Sequence, residues 1–173
     1  GPVTPGRPRP GLTSEELEQL ALLRLEEESP LEILFEPTPP FVQDAFDPGA
    51  GCLRRIGVRN LSARTLDAVE VLLADFQPRG APFLPIRLRL MHDTPQPFRL
   101  HPGGTQYADL VWYQALGEHR DHLTLCYGVP GIPNMIPLDS YRITVRVAAR
   151  DVRAHERSFT VQVDEDGRIL ISP

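Results

Sequence analysis

Lysine is missing from this chain: all 18 of its basic residues are arginine. An absence spread over 173 residues reads as a bias of GC-rich coding rather than as the mark of one local site. Arginine chosen for its bidentate grip on anions would leave the same trace. An excess of positive charge is missing too. The net charge is −5, so the chain lacks the basic field on which non-specific nucleic-acid binding rests. No run of about 18 apolar residues occurs, which excludes a membrane-spanning helix within these residues. The opening Gly1-Pro2 reads as the scar of a cleaved tag. Native sequence, and with it any targeting signal, is therefore expected ahead of it.

Cysteine is scarce, with only Cys52 and Cys126. A disulfide between two sheets needs both side chains pointing inward. In Leu123-Thr124-Leu125-Cys126-Tyr127 the two leucines and the tyrosine share one face, which leaves Cys126 on the other with Thr124. That parity argues against a core bridge, unless a bulge reverses it. Two free thiols fit a reducing compartment, but so small a count leaves the compartment open. Catalytic signatures are also lacking. There is no Gly-x-Ser-x-Gly elbow and no phosphate-cradling glycine loop ahead of a helix. No strand–helix–strand rhythm suggests a parallel α/β sheet.

What the chain does have is alternation. Tyr141-Arg142-Ile143-Thr144-Val145-Arg146-Val147 places apolar and polar side chains on opposite faces, the period of a strand with one side against a core. Similar segments recur at 31–35, 52–60, 66–76, 83–91, 98–100, 105–113, 122–127, 157–163 and 168–171. Turns rich in Pro, Gly and Asp separate them. About eight strands at short spacing predict an all-β antiparallel sandwich over residues 31–173. Residues 37–51 and 128–137 read as loops. Ahead of the sandwich, residues 1–12 form a Pro/Gly/Arg-rich flexible linker or tag remnant. Residues 13–29 form a short helix: Thr13 with Glu16 fits a capping box, Leu17, Leu20, Ala21 and Leu25 recur at near-helical spacing, and Ser29-Pro30 ends it.

The succession Arg55-Ile56-Gly57-Val58-Arg59-Asn60, Leu66 to Leu73, Phe98-Arg99-Leu100-His101-Pro102-Gly103 and Tyr141 to Val147 resembles bacterial immunoglobulin or fibronectin-III-like domains over residues 31–171. The chain departs from antibody-type domains in that Trp112 lies far from Cys52 and no Tyr stands two residues before Cys126. The resemblance implies an immunoglobulin-like module of a larger bacterial protein that mediates binding or spacing. It also implies a membrane tether supplied by preceding sequence, on an undetermined side. Activity does not follow from architecture.

Two segments are candidate sites. Val129, Ile132, Met135 and Ile136 make the 128–137 loop apolar, and its prolines lower the entropy lost when it orders against a partner. Exposed, these four residues predict a protein-binding surface. Folded over the end of the sandwich, they would plug its core instead. Arg87 with Arg89, and Arg142 with Arg146, share strand faces. If those strands were neighbours, the four guanidinium groups would form a face for a small anion or sugar, unless acids such as Glu70 pair with them. His119 and His122 read as a solvated turn rather than a metal site. Asp164-Glu165-Asp166-Gly167 reads as a hairpin turn rather than a calcium loop. No catalytic, cofactor or metal residue is assigned. The expected role is a non-catalytic protein-interaction or spacer module, whose partner is another protein or another domain of the same chain, held by the loop Val129 to Ile136 or by a strand added to an exposed sheet edge. The alternative is a sensor of a small anion or sugar.

Overall fold

A computed structural model describes residues 11–27, 29–45, 50–127 and 129–173, with side chains given for all of these except 21–27. Most of the expected linker, the centre of the 37–51 loop and Gly128 lie outside them. The helix α1 spans Ser14–Glu27. It starts as its capping residues require: the Glu16 N–H donates to Thr13 Oγ1 at 3.1 Å and the Leu17 N–H to the Thr13 carbonyl at 2.9 Å. Leu12, Leu17 and Leu20 are all exposed. The expected contributions of Ala21 and Leu25 lie outside the described side chains.

The rest is an antiparallel β-sandwich. Its strands are β1 (Leu31–Leu34), β2 (Val42–Asp44), β3 (Cys52–Asn60), β4 (Leu66–Gln77), β5 (Ile86–Arg87), β6 (Phe98–Leu100), β7 (Thr105–Tyr113), β8 (His122–Leu125), β9 (Met135–Pro137), β10 (Tyr141–Ala148), β11 (His155–Val163) and β12 (Ile169–Ser172). One sheet runs β1-β3-β7-β8-β9, with β2 also on β3. The other runs β12-β11-β10-β4-β5, with β6 also on β4. The described residues hold twelve strands where a sandwich of about eight was expected, and ten of them fall on the ten alternating segments. The additional ones are short: β2 and β9 lie inside the two segments read as loops, and three residues are too few to display a period of two.

The alternation seen in the sequence sets the core. Ile143, Val145 and Val147 are fully buried, as are Ile56, Val58, Val69, Val71 and Leu73 from the other long strands. Both sheets turn their apolar faces toward this single cluster, and burial of such side chains contributes roughly 1.5–3 kcal/mol each. Two bulges shift the pattern. Between Arg54 and Arg55, β3 advances one residue while β7 advances two, from Val111 to Asp109. Between Thr144 and Val145, β10 advances one while β4 goes from Asp75 to Leu73. Each leaves an extra residue on one strand.

Arginines from each sheet cap the edge of the other. The Arg157 Nη1 of β11 donates to the Ile33 carbonyl of β1 at 2.7 Å, with its guanidinium 4.8 Å above the Phe159 ring. The Arg54 Nε of β3 donates to the Ile169 carbonyl of β12 at 3.1 Å, and its Nη1 meets Asp44 at 2.6 Å. A planar fork reaches a carbonyl and a carboxylate at once, which a lysine ammonium on one point cannot do with the same geometry. Cys52 faces the shared core, whereas Cys126 is buried outside that cluster, as its parity with Thr124 requires. Both thiols are free.

Candidate functional site

The segment read as one strand, 83–91, divides between the sheets. Pro85 brings no N–H to a ladder, and pairing with β4 is confined to β5, Leu72 opposite Arg87 and Leu73 opposite Ile86. The chain then crosses. The Leu88 N–H still donates to the Val71 carbonyl at 3.0 Å, but the Arg89 N–H donates to the Cys126 carbonyl at 3.0 Å, and the Arg89 carbonyl accepts from the Asp109 N–H at 2.8 Å. Leu88 bridges Tyr127 and Leu90 bridges Ala108. Parity survives the crossing: Ile86, Leu88 and Leu90 are buried, and Arg87 and Arg89 are exposed.

Where the ladder to β4 breaks off, Gln96 takes the place of a strand. The Val71 N–H donates to its Oε1 at 2.8 Å, and its Nε2 donates to the Leu88 carbonyl. Between the crossing and Gln96 the backbone turns tightly through Met91–Asp93, where His92 and Asp93 sit at φ 63° and 53°. Two successive non-glycine residues in the left-handed region hold a local strain that the surroundings must offset.

The β3–β7 bulge brings three charges together beside the crossing. Asp109 is buried and accepts from Arg55 Nε on one oxygen at 2.7 Å and from Arg89 Nε on the other at 2.9 Å. Arg55 is itself buried, and its Nη1 donates to the Pro40 carbonyl at 3.2 Å. Arg89 is not: about half of its side chain, 51%, is exposed. Its hydrogen bond to Asp109 raises its pKa further, so it is a fixed cation. Burial, and secondarily the charge of Asp109, pushes the neighbouring Cys126 thiol up to about 12. Burial alone takes Tyr127 to about 12. Both groups are neutral at pH 7, the thiol held far from its nucleophilic form.

An open groove of about 550 Å³ lies over the crossing, lined by Arg87, Arg89, Asp93, Gln96, Tyr127 and Val129 among others. Its walls are stiffened by Pro95 and Pro130, and Tyr127 packs edge-on against Phe83 with ring centroids 5.5 Å apart. Arg89 also lines a second cavity of about 300 Å³ with Trp112 and Gly51. The groove thus unites residues from both sequence candidates, Arg87 and Arg89 from one and Val129 from the other.

The remaining candidates separate. Ile136 belongs to β9 opposite Leu123 and is buried. It is a core residue rather than a surface contact, because β9 pairs with β8 and turns alternate residues inward. Ile132 is half-buried and packs against the core. Val129 and Met135 are exposed. The loop is therefore part plug and part surface. The four arginines do not form one face. Arg87 and Arg146 flank Leu72 in a single cross-strand row, about 10 Å apart given the spacing of two strands. Each meets its own acid: Arg87 Nη2 lies 2.9 Å from Glu70, and Arg146 Nη2 lies 2.6 Å from Glu156. Arg142 donates to Thr160 Oγ1 at 3.1 Å and stands roughly 13 Å along the strand from Arg146. Arg89 belongs to the other side of the crossing.

The Asp164 carboxylate accepts from the N–H groups of Asp166 and Arg168, both at 2.9 Å, and the Gly167 N–H closes on the Asp164 carbonyl at 3.1 Å with φ 78°. The hairpin turn itself employs that acid. The His122 N–H donates to the His119 carbonyl at 3.0 Å, a turn leading into β8. Among the described residues no group of three His, Cys, Asp or Glu gathers in metal-binding geometry.

Sequence reasoning passed over Asp109, Arg55, Gln96 and Tyr127. Asp109 carried a signal, a single carboxylate inside the apolar run Tyr107-Ala108-Asp109-Leu110-Val111, since a charge in such a run needs a buried partner. Gln96 carried none. No protein-family model, curated protein or solved structure matches the chain.

Proposed function

We propose that the protein is a non-catalytic interaction module, of the immunoglobulin or fibronectin-III-like kind, that holds an extended peptide segment of a protein partner in the groove over residues 86–96. The observation that carries the reading is the convergence there of an exposed aliphatic residue, Val129, an aromatic wall, Tyr127, and an exposed guanidinium, Arg89. A concave surface that sets apolar walls beside fixed polar groups, here in about equal share, can both bury and orient a side chain. The hydrogen bonding of the floor favours recognition by side chains over addition of a strand. Leu88 and Arg89 have both their N–H and carbonyl groups engaged, and the Ile33 and Ile169 carbonyls on the edge strands are capped by arginine. The small-anion reading has less support on the outer sheet face, where Arg87 and Arg146 meet carboxylates of their own.

Selection of a random peptide library on the immobilised protein tests the reading, with the Val129→Asp variant as the counter-target. Peptides retained about tenfold better by the unaltered protein, a difference of about 1.4 kcal/mol, are expected. A library that yields no binders, or binders indifferent to Val129→Asp, would remove the groove as the site.

A further inference from the structure

Resting on the groove reading, we infer that Arg89 is its specificity-determining residue and that it receives the carboxylate of a Glu or Asp side chain on the bound segment. A guanidinium has five N–H donors in one plane. Asp109 takes the Nε edge of Arg89, which fixes the plane from below. The two Nη groups have no hydrogen-bond partner among the described residues, half the side chain is exposed, and Arg89 lines the groove. A fork held by its stem and open at its tip matches the two oxygens of a carboxylate. Little rotamer freedom remains to be lost on binding, because the stem is already tied to a buried acid that a second arginine, Arg55, holds from the other side.

The charges nearby favour a monoanion. Arg55, Asp109 and Arg89 together carry one positive charge, and Arg87 is neutralised by Glu70. Asp93, also in the groove wall, adds a negative charge. With Asp93 the sum is zero, so a bound carboxylate leaves one negative charge where a phosphate dianion leaves two, and the smaller charge is the less opposed. The flanking positions of the segment face Val129, Pro130 and Tyr127, which suit aliphatic side chains or proline. The preferred ligand is therefore an extended stretch with one acidic residue between apolar ones.

Three degenerate synthetic peptide pools test this. They share aliphatic flanks and carry Glu, Gln or phosphoserine at the central position. The unaltered protein should retain the Glu pool about tenfold more than the Gln pool, a factor worth about 1.4 kcal/mol. Arg89→Lys should erase that preference while keeping the melting temperature, since one ammonium can stay with Asp109 but cannot also present a fork. Arg146→Gln, on the outer sheet face, should change nothing. Equal retention of Glu and Gln, with sensitivity to Val129→Asp intact, would overturn the carboxylate inference and leave the groove standing. Strongest retention of the phosphoserine pool would overturn it in favour of a phosphopeptide. Retention of no pool, or retention indifferent to Val129→Asp, would overturn both.

Discussion

Single residues in this protein do different work from their neighbours in the same loop. Val129 and Ile136 were equivalent as apolar letters in one proline-rich stretch, yet one is exposed and the other buried against Leu123. Val129→Asp should leave stability within about 0.5 kcal/mol, as exposed substitutions usually do. Ile136→Asp should cost about 3 kcal/mol or more, because it places a carboxylate in the core without a partner. Urea unfolding of the two variants measures the contrast, and equal losses would contradict the placement of β9. Asp109→Asn makes a sharper case. It removes the counter-charge from buried Arg55 and should cost about 3–5 kcal/mol in the same assay. The parity of Cys126 and of Arg87 with Arg89 was legible in the sequence, since it depends only on adjacent residues. The partners of Asp109 were not. Arg55 and Arg89 reach it from two other segments, and a bulge decides which β3 residue stands opposite.

At the scale of elements, the long strands announced themselves and the crossing did not. The alternation of Ile86-Arg87-Leu88-Arg89-Leu90 correctly separates inside from outside, but it contains no information about which sheet supplies the hydrogen bonds. Here the segment begins on β4 and ends between β7 and the residues after β8. Gln96 repairs the gap left on β4. Gln96→Leu should therefore cost about 2 kcal/mol, since the Val71 N–H would lose its side-chain acceptor in a partly buried site. Hydrogen exchange supplies the local check: the Val71 amide should exchange faster, with the Val145 amide in the centre of the sheet little changed. Unaltered exchange at Val71 would mean that another group can fill the acceptor position. The same scale explains why the arginine-rich face failed to assemble. Strand order puts β4 between β5 and β10, and each exposed arginine was already within reach of an acid or hydroxyl on the next strand.

The molecule as a whole keeps several weak acids neutral by burying them wholly or in part. Folding raises Cys126 from the ordinary 9.0 to about 12 and Tyr127 from 10.0 to about 12, both chiefly by burial. Cys52 is raised in the same direction for the same reason. Above pH 9 the unfolded chain releases these protons first, so the folded state binds more protons than the unfolded one and stability falls as pH rises. The melting temperature should be level from about pH 7 to pH 9 with respect to these groups, then decline toward pH 12. Cys126→Ala should make that decline shallower. A melting temperature insensitive to alkaline pH would show that these groups are not buried as described.

The sequence by itself determined that this chain folds as two-faced strands, because a period of two is a local property and the cost of exposing Ile143, Val145 and Val147 can be read without knowing their neighbours. It also determined the helix start at Thr13, a contact made within one turn. Only the tertiary structure decided that the 86–90 segment changes sheets and that Arg89 is tied to Asp109. It alone decided, too, that Val129 faces the same groove. Those outcomes depend on register and pairing between segments far apart in the chain, and the same alternating letters are compatible with more than one such pairing.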